Sequence, residues 1–429
     1  MQKAFMRIPY TGPLPSPLII PNTANTVPGA IAALTRFLSA PPSPALQRPP
    51  NGNQDRQAST VLLTGAGISV ASGLADYRGT NGTYTLNKTY RPIYFSEFVH
   101  NHEARKRYWA RSFLGWPVLE RSKPNAAHRA VQTLGERGWF SGVVTQSKCF
   151  HVDSFHLQAH PSLPTLELHG YLRSLVCLTC GTHLPRSKFQ ESLAALNPAW
   201  ATFLAEALAS GALDTEHPDE RRRRGLRANP DGDVDLPNAP YSSFRYPACP
   251  TCLAQSQRHQ HSASSKPAST MTETNPHIVN VDPDGAYLPT STAGILKPAV
   301  VMFGESIAPA VKTTAEDLID SASRLLVVGS SLATYSAWRL AKRARDRGMP
   351  IGVLNLGGVR GEEALFEGVG RDVGENTGEN GVRCSQSADV VLAGVVANLK
   401  GRNAAVDETA SAGPSSVGAL AVEIKSQAA

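Results

Sequence analysis

The stretch TVLLTGAGISVASGLADYR, residues 60–78, sets the fold class that the rest of the chain has to fit. A mostly apolar run ends at Gly65 and Gly67, and a helix-compatible stretch follows. This order is typical of a buried strand, a tight turn and a helix start, where backbone N–H groups can bind a pyrophosphate. The dinucleotide fingerprint would place its third glycine where Val70 stands, and the acidic residue about 20 positions later is missing. An ordinary dehydrogenase is therefore disfavoured, and a purely structural glycine turn fits the two glycines alone equally well.

Four further segments predict the same kind of unit. Residues 142–146 (GVVTQ) form a buried strand, and 324–348 (RLLVVGSSLATYSAWRLAKRARDRG) form a strand, a tight turn and a helix. Residues 350–358 (PIGVLNLGG) and 388–399 (ADVVLAGVVANL) each open with another strand. Strands that alternate with helices indicate an α/β fold, a parallel sheet covered by helices on both faces. Ligands bind at the carboxyl ends of such strands, which here carry TGAG, TQ, GSS and NLGG.

The cysteines predict a metal site. Four of the six form two C-x-x-C pairs: Cys177, Cys180, Cys249 and Cys252. Each pair places two thiolates on one side of a tight turn, and two pairs complete a tetrahedron around zinc. Because four ligands close the coordination shell, we expect a structural zinc ion and not a catalytic one, in a reducing compartment. Cys149 and Cys384 lie outside this set.

Composition limits the other functions. The formal charge of +7 is modest for 429 residues, and its sharpest local source is the four arginines at 221–224. They stand in polar sequence, which is typical of a solvated loop, and no aromatic residues are interleaved as a nucleic-acid surface would require. No apolar run approaches the roughly 18 residues that span a bilayer. We therefore expect a soluble protein that binds neither nucleic acid nor membrane.

The N-terminal part lacks acidic residues. Residues 1–54 contain no Asp or Glu but are rich in hydroxyl side chains and proline, a composition shared by transit peptides and by disordered tails. We assign residues 1–56 to such an extension. The run GAIAALTRFLS (29–39) predicts a short amphipathic helix, which would belong either to a presequence or to the fold itself.

The remaining boundaries follow from composition. Residues 57–400 form the folded domain: a sheet lobe at about 57–83, 125–168 and 293–400, a helical module at about 84–124 and a zinc module at about 170–253. A helical stretch, SKFQESLAALNPAWATFLAEALASG, lies between the cysteine pairs. The Ser, Thr, Gln, His and Pro-rich residues 254–292 and the Ala/Ser-rich residues 401–429 predict a disordered insertion and a disordered tail.

Together these motifs resemble the sirtuin family, in the family's order over about residues 60–400. The segments that carry the resemblance are TGAGISVASGLADYR (64–78), TQ…VDSFH (145–156), LELHG (166–170), the two cysteine pairs, KPAVVMFGES (297–306), VVGSSL (327–332) and VLNLGG (353–358). Residues 91–117, NPAW (197–200) and ANPDGDVDL (228–236) resemble the mitochondrial class II, sirtuin-4-like branch. This implies a location in the mitochondrial matrix.

The resemblance implies a Rossmann-like sheet lobe with a smaller zinc-binding and helical lobe, the sirtuin fold. It implies an NAD-dependent protein-lysine deacylase that takes NAD as co-substrate and acylated lysines of mitochondrial proteins as targets. The products would be free lysine, nicotinamide and O-acyl-ADP-ribose. His169, in LELHG, matches the family's general base, although one His in an apolar context is more often a packed or capping residue.

The resemblance also assigns binding residues, most of them near the carboxyl ends of the expected strands. For the cofactor they are Gly65, Ala66 and Gly67 at the pyrophosphate; Asp76, Tyr77 and Arg78 in the mobile cofactor loop; Gln146 and Asp153 at the ribose and nicotinamide; Gly329, Ser330 and Ser331 on the adenosine side; Asn355 at the adenine ribose; and Ala388 at the adenine. A strand through Phe303, Gly304 and Glu305 would pair with the substrate backbone.

Two positions depart from the family pattern. Ala75 replaces the proline that normally precedes Asp76, which should loosen the cofactor loop. The family's Gln-Asn-Val-Asp is interrupted: the five residues 147–151 (SKCFH) stand where one Asn is expected. The insertion is tolerated as a bulge, or it disables turnover, or it is a splice-boundary error. We favour the error because every flanking motif is intact.

Three functions follow from these observations. The first is the deacylase, and protein ADP-ribosyl transfer is an activity also associated with this branch. The second is a catalytically weak NAD-binding module, which the insertion 147–151 would favour. The third, a zinc-ribbon nucleic-acid binder, is disfavoured by the residues around the cysteine pairs.

Overall fold

The computed structural model describes residues 12–42, 59–80, 82–86, 90–146, 155–213, 227–228, 233–263 and 277–399. The strands of this part of the chain are β1 (Thr60–Thr64), β2 (Phe140–Thr145), β3 (Thr165–Glu167), β4 (Gly170–Cys177), β5 (His183–Pro185), β6 (Arg227–Ala228), β7 (Val234–Asp235), β8 (Leu296–Val300), β9 (Arg324–Val328), β10 (Ile351–Leu354) and β11 (Val382–Cys384).

The α-helices are α1 (Val27–Ser39), α2 (Thr83–Leu86), α3 (Phe95–His100), α4 (His102–Arg121), α5 (Ala126–Glu136), α6 (Phe155–Ala159), α7 (Arg186–Leu196), α8 (Pro198–Ala209), α9 (Pro250–Ala263), α10 (Pro309–Ser321), α11 (Tyr335–Asp346), α12 (Glu362–Leu365) and α13 (Ala388–Asn398). Short 3₁₀ helices cover Asn22–Asn25, Ala66–Ser72 and Tyr241–Ser243.

The first lobe is built on a parallel sheet. Its strand order is β11-β10-β9-β1-β2-β3, and every neighbouring pair is parallel. Side chains alternate across β1: Leu62 packs into one hydrophobic cluster with α1, α5 and α13, whereas Val61 and Leu63 pack into the cluster that contains α10 and α11. The predicted parallel sheet with helices on both faces is confirmed, and four of its strands match the apolar runs found in the sequence.

The segment 388–399 is a correction. The sequence predicted that it opens with a strand, but residues 388–398 form α13, which packs against α1 and α5. Val391, Leu392 and Val395 are buried at helical spacing, while Val390 is exposed. The outer strand is instead β11, three residues long, which pairs with β10.

The N-terminal extension is a second correction. Residues 12–42 are folded, and α1 belongs to the sheet lobe. Thr26 caps α1 by accepting a hydrogen bond from the N–H of Gly29. The buried face of α1 packs against α13. Of the two interpretations of 29–39, the structure supports the first helix of the fold. Residues 1–11 and 43–58 lie outside the described residues.

The smaller lobe combines helices with a small sheet. Strands β5, β4 and β8 are antiparallel neighbours, and β6 pairs with β7. The core of this lobe collects aromatic side chains from α4, α7, α8 and the segment before α9, including Trp109, Phe113, Phe189, Trp200 and Phe244. The predicted helical stretch between the cysteine pairs is present as α7 and α8, which divide at Asn197.

The expected disordered insertion 254–292 is a third correction, for residues 254–263 and 277–292, which the structure describes. Residue 254 onward continues α9 to Ala263, and residues 277–292 are ordered by side-chain hydrogen bonds to backbone. Ser256 Oγ accepts from the N–H of Val279 (3.1 Å), and Ser291 Oγ accepts from the N–H of Asn280 (2.8 Å). Hydroxyl-rich composition here supplies structural acceptors rather than disorder.

Residues 264–276, the four arginines at 221–224 and the tail 401–429 lie outside the described residues. Within the described part, none of the helices combines the length and apolar character that crossing a bilayer demands.

Candidate active site and metal centre

Three glycines form a backbone crossing at the carboxyl ends of β1 and β9. The N–H of Gly67 donates to the carbonyl of Gly329 (2.8 Å). A Cβ added to Gly65 would lie 2.6 Å from the Gly329 oxygen, and one added to Gly329 would lie 2.3 Å from the nitrogen of Ile68. Gly329 also has φ +60°. Only glycine fits at these positions, because the backbone of one turn packs directly against the backbone of the other. This crossing, here called the glycine cradle, lies at the strand ends where sheets of this kind bind a pyrophosphate.

Gln146 connects this cradle to the rest of the site. It follows β2, is buried, and its Nε2 donates to Ser330 Oγ (2.7 Å). Its Oε1 accepts from Thr334 Oγ1 (3.0 Å), and its backbone carbonyl is 2.8 Å from His169 Nδ1. The structure therefore brings Gln146, Ser330 and His169 together, as the resemblance implied.

The hydrogen bonds of His169 fix its tautomer. A carbonyl oxygen can only accept, so Nδ1 must carry the proton that it shares with Gln146. In the neutral ring this leaves a lone pair on Nε2, which lies 2.8 Å from Ser336 Oγ. His169 is buried at the junction of β3 and β4, and the N–H of Val301 donates to its carbonyl (2.8 Å). An oriented, basic Nε2 between the two lobes is what a general base requires.

Asp76, Tyr77 and Arg78 lie in a loop that folds onto α2. Asp76 Oδ1 accepts from the N–H of Gly79 (3.0 Å), and burial raises the pKa of this carboxyl. The Tyr77 ring stacks on Tyr84 at 5.7 Å, and the Arg78 guanidinium lies 5.1 Å from the centre of the same ring. These contacts hold the loop without the proline that Ala75 replaces.

The adenosine-side residues lie at the neighbouring strand ends. The N–H of Gly329 donates to the carbonyl of Leu354 (2.9 Å), and the Ser331 carbonyl accepts from the N–H of Arg360 (2.9 Å). Asn355 directly follows β10, and its N–H donates to the carbonyl of Cys384 (3.1 Å). Ala388 is the half-buried first residue of α13, four positions beyond β11. The loops that carry Ser331, Asn355 and Ala388 thus adjoin along one edge of the sheet.

The expected strand through residues 303–305 is a turn with one isolated bridge between Tyr94 and Phe303, and its pairing with substrate stays a prediction. Phe303, Gly304 and Glu305 follow β8 as a turn, in which Gly304 has φ +84°. Glu305 points inward: its Oε2 accepts from the buried Lys297 Nζ (3.0 Å) and from the N–H of Met302 (2.8 Å). The Phe303 carbonyl already accepts from the N–H of Phe95 (2.8 Å), so its backbone pairs internally. Edge strand β8, directly before this turn, is the nearest strand.

A cleft opens beside this turn. Its lining is mostly apolar, with one buried ion pair between Arg111 and Asp233 at 2.5 Å: Tyr90, Ile93, Tyr108, Arg111, Leu172, Asp233, Val300, Val301, Met302 and Phe303. Asp233 raises the pKa of Arg111 against the opposing effect of burial. Since Val301 is also the backbone partner of His169, the cleft begins next to the general-base candidate.

Asp153 and the insertion 147–151 lie outside the described residues, so their placement stays a prediction. Other contributors were missed by the sequence reasoning. Asn125 caps α5 and donates from Nδ2 to the carbonyl of Ile68 (2.8 Å), which fixes the turn after the glycine pair. Its signal was the spacing Asn125-x-x-His128, a capping box with His at its third position. For Thr334 and Ser336, the sequence showed only that hydroxyl side chains are frequent after the strand, which does not predict a contact with Gln146 or His169.

The four paired cysteines meet in one place. Cys177 ends β4, Cys180 follows in the turn, and Cys249 and Cys252 lie at the start of α9. The Sγ atoms of Cys177 and Cys252 are 3.6 Å apart, those of Cys180 and Cys249 are 3.7 Å apart, and all four lie within 4.8 Å. A tetrahedron with Zn–S bonds of about 2.3 Å has edges of about 3.8 Å, so the donor set fits zinc.

The thiol pKa values explain why a cation belongs there. A hydrogen bond from Cys249 lowers the pKa of Cys177 to about 4, whereas burial raises the pKa of Cys252 to about 12. One thiolate in the cluster is stabilised by the neighbouring cysteines, but ionisation of the remaining thiols is opposed. A divalent cation stabilises all four thiolates together. Cys384 is buried on β11 outside the cluster, as expected, and Cys149 lies outside the described residues.

Comparison with known proteins agrees with this site. The profile of the Sir2 family matches residues 65–336. The NAD-dependent protein deacylase SIR4 of Batrachochytrium dendrobatidis is 40% identical over 311 residues, which cover 71% of this chain and 83% of that protein. The NAD-dependent protein deacylase SRT2 of Arabidopsis thaliana is 31% identical over 75% of this chain and 72% of its own length. The NAD-dependent protein deacetylase 2 of Bradyrhizobium diazoefficiens is 34% identical over 72% of this chain and 88% of its own length.

These matches confirm the resemblance inferred from the motifs. They cover both the glycine cradle and His169, which the structure brings to one edge of the parallel sheet. The chain belongs to the Sir2 family, the sirtuins.

Proposed function

We propose that the protein is an NAD-dependent protein-lysine deacylase that releases nicotinamide and O-acyl-ADP-ribose and holds one structural zinc ion. The observation that carries this proposal is the fixed tautomer of His169, whose basic Nε2 lies between the glycine cradle and the cleft. The names of the relatives, NAD-dependent protein deacylases and deacetylases, support it.

Different residues of this chain contribute to different parts of the reaction. When bound, NAD supplies nicotinamide as a leaving group and a ribose carbon to which the acyl oxygen attaches. Gly65, Gly67 and Gly329 fix the backbone crossing beside which the pyrophosphate would lie, while their own N–H groups donate to protein carbonyls. Gln146 fixes the ribose side and orients His169 through its carbonyl. His169 Nε2 then accepts a proton from a ribose hydroxyl, because its Nδ1 remains protonated.

The acylated lysine would enter through the cleft beside Val301. That residue is hydrogen-bonded to His169 through the backbone, so the cleft adjoins the residue that carries the base. The largely apolar lining suits an aliphatic lysine stem and excludes water from the reacting groups. Edge strand β8 and the turn at residues 303–305 that follows it offer backbone for peptide pairing.

We further propose that the protein works in the mitochondrial matrix on acylated lysines of mitochondrial proteins. The support is the acid-free composition of residues 1–54 and the class II motifs. Because residues 12–42 are folded, a targeting signal removed on import would occupy the residues before them. Imaging of the full chain with a C-terminal fluorescent tag tests this; a signal spread through the cytosol would contradict it.

The first experiment measures nicotinamide release by mass spectrometry with NAD and a panel of acyl-lysine peptides. Release should depend on the peptide, and His169→Ala should lower it by about 10²–10⁴-fold. His183→Ala is the matched control, because His183 is an exposed histidine on β5. Loss of activity in both variants would contradict the assignment of His169.

The insertion 147–151 requires a second step. If the native chain releases no nicotinamide, its five residues are replaced with one Asn, the family residue. Activity that returns would identify the insertion as disabling, which favours the NAD-binding module as the native function. Transfer of ADP-ribose instead would appear as a mass increase on the target protein and would contradict deacylation.

A further inference from the structure

The N-terminal segment 12–26, here called the strap, pairs with the outer edge of the sheet. The N–H of Ile20 donates to the carbonyl of Arg383 (3.0 Å), and the N–H of Arg383 donates to the carbonyl of Ile20 (2.7 Å). The side chain of Ile20 is 1% exposed. Gln386 Nε2 donates to the carbonyl of Asn25 (2.7 Å), so the strap also contacts the loop before α13. The strap is therefore a fixed part of the sheet lobe.

A fully buried ion pair lies between the strap and the loop that follows β10. Arg383 Nε and Glu362 Oε1 are 2.5 Å apart, and both side chains are 0% exposed. Glu362 also accepts from the N–H of Leu18 in the strap (2.7 Å) and from the N–H of Val359 in the loop (2.8 Å). One carboxylate thus joins the strap, the loop and β11.

Arg383 uses its remaining donors on carbonyl oxygens of the same region. Nη1 donates to the carbonyls of Asn355 (2.9 Å) and Cys384 (2.6 Å), and Nη2 donates to the carbonyl of Gly357 (2.6 Å). A planar guanidinium can satisfy all of these acceptors at once, which a lysine ammonium cannot do in the same geometry. Arg383 therefore determines the backbone path of residues 355–357.

The strap also touches this loop directly. A Cβ added to Gly358 would lie 1.7 Å from the carbonyl oxygen of Pro15. Gly358 is buried, so the backbone of the strap lies against the backbone of the loop at this point. Any side chain at position 358 would push the strap away.

The loop adjoins the glycine cradle. The N–H of Gly329 donates to the carbonyl of Leu354, and the N–H of Arg360 donates to the carbonyl of Ser331. Residues 355–360 thus follow the strand next to the one that ends in the cradle, where an extended dinucleotide places its adenosine half. A glycine-rich loop has many conformations to lose, so holding it in place before binding increases affinity.

We propose that Arg383 and Glu362 are positioning residues for the adenosine half of NAD, and that the strap is needed to keep this loop in its binding conformation. The proposal rests on the proposed function for the identity of the ligand. It predicts that disturbing the strap weakens the binding of ADP-ribose while the chemical step and the binding of the acyl peptide remain unaffected.

Two variants test this in the full chain. Gly358→Ala displaces the strap without removing a charge. Arg383→Lys keeps a cation beside Glu362 but cannot hold the three carbonyls. Calorimetry with ADP-ribose should show a Kd increased about tenfold in each variant, because the loop then has to be ordered on binding. The KM for NAD should rise in parallel, while kcat at saturating NAD and the KM for the acyl peptide change less than about twofold.

Matched controls separate positioning from stability. Gly374→Ala adds a methyl group that meets no atom within 4 Å, and Arg186→Lys alters another fully buried arginine, in the other lobe. Neither should change the Kd for ADP-ribose, even though Arg186→Lys lowers the melting temperature. If Gly358→Ala fails to fold, Arg383→Lys decides the question.

The outcomes are distinct. Unchanged ADP-ribose affinity in folded Gly358→Ala and Arg383→Lys would overturn this inference alone. A fall in kcat as large as the rise in KM would also overturn it, since it would indicate general damage. A native chain that binds neither ADP-ribose nor NAD would contradict the proposed function and this inference together.

Discussion

Gln146 is the residue on which the geometry of the site depends most. It holds Ser330 and Thr334 through its amide and orients His169 through its carbonyl. Its position at the end of a buried strand and its family match predicted a role in the cofactor site. The sequence could not reveal that the same residue sets the tautomer of the base, because that contact is made by the backbone.

Replacing Gln146 with Leu removes one buried and one partly buried hydrogen bond and leaves two hydroxyl groups without their amide partner. We expect a loss of about 1–3 kcal/mol in the free energy of unfolding. Activity should fall mainly through the KM for NAD, because His169 keeps the carbonyl of residue 146. Gln132→Leu, on the exposed face of α5, should change neither quantity. Urea unfolding and NAD titrations of nicotinamide release measure both, and an unchanged KM would contradict the role of the amide.

A second residue-scale prediction concerns His156, which lies buried between Thr64 and His160. Its Nε2 is 3.0 Å from Thr64 Oγ1, and its Nδ1 is 2.9 Å from His160 Nε2. Burial, followed by the neighbouring His128 and His160, lowers the pKa of His156 well below 6.5. Below about pH 6.5, His156 therefore binds a proton in the unfolded chain but stays neutral in the folded chain. The free energy of unfolding thus decreases as the pH falls through that value.

Urea unfolding at pH 7.5, 6.5 and 5.5 measures this effect. The native free energy of unfolding should fall by up to about 1.4 kcal/mol per pH unit from His156 between pH 6.5 and its lowered pKa. His156→Gln should be less stable at pH 7.5 but should show a shallower decrease, whereas exposed His183→Gln should follow the native curve. Equal slopes in native protein and His156→Gln would refute the assignment.

At the scale of elements, the central strands were predictable and the outer ones were not. Strands β1, β2, β9 and β10 are buried on both faces and therefore stand out as apolar runs. Strand β11 has only three residues, one of them Arg383, and it gives no such signal. The β-branched run in α13 resembled a strand, but the helical spacing of its buried residues decides against one.

Composition misled the predictions for residues 12–42 and 277–292. In both segments proline, serine and threonine serve as caps, turns and hydrogen-bond acceptors for specific backbone groups. Thr26 and Ser291 are examples, and Ser256 of α9 accepts from the N–H of Val279 in the second segment. Single-sequence composition counts these residues as disorder-promoting, and only the tertiary contact shows which of them are ordered.

The zinc centre gives the element-scale prediction. The native chain should carry about one zinc ion, and Cys180→Ser should lose it, because the closed shell needs all four thiolates. Cys384→Ala, outside the cluster, should retain the metal. Since no coordination position is left for substrate, replacement of zinc by cobalt should leave kcat within about twofold and add a tetrahedral thiolate spectrum. A large change in kcat on metal exchange would contradict a structural role.

At the scale of the whole molecule, the site exists only where distant segments meet. Five segments adjoin along the carboxyl-end edge of the sheet, although up to several hundred residues separate them in the chain. They are the strap, the cradle, β2, the β3–β4 junction and the loop after β10. The sequence could predict which segments bear ligands, because parallel strands align their carboxyl ends. The sequence could not predict that the N-terminal segment supports the loop after β10 at this edge, since the contacts of that segment are made by backbone atoms and by one buried ion pair.

Together with the proposed import into mitochondria, this arrangement predicts where processing can occur. Removal of residues through Leu18 would take one donor from the buried Glu362 carboxylate and cost about 1–3 kcal/mol. Removal through Ser39 would delete α1, with the buried Leu34, Phe37 and Leu38, and expose the apolar side chains of α13 that pack against it. We therefore expect the protein purified from mitochondria to begin before Leu18, which intact-mass measurement and N-terminal sequencing determine directly. A mature chain that begins after residue 26 would contradict the structural role of the strap. A chain that keeps Met1 inside the matrix would show that import proceeds without cleavage and would leave every contact of the strap in place.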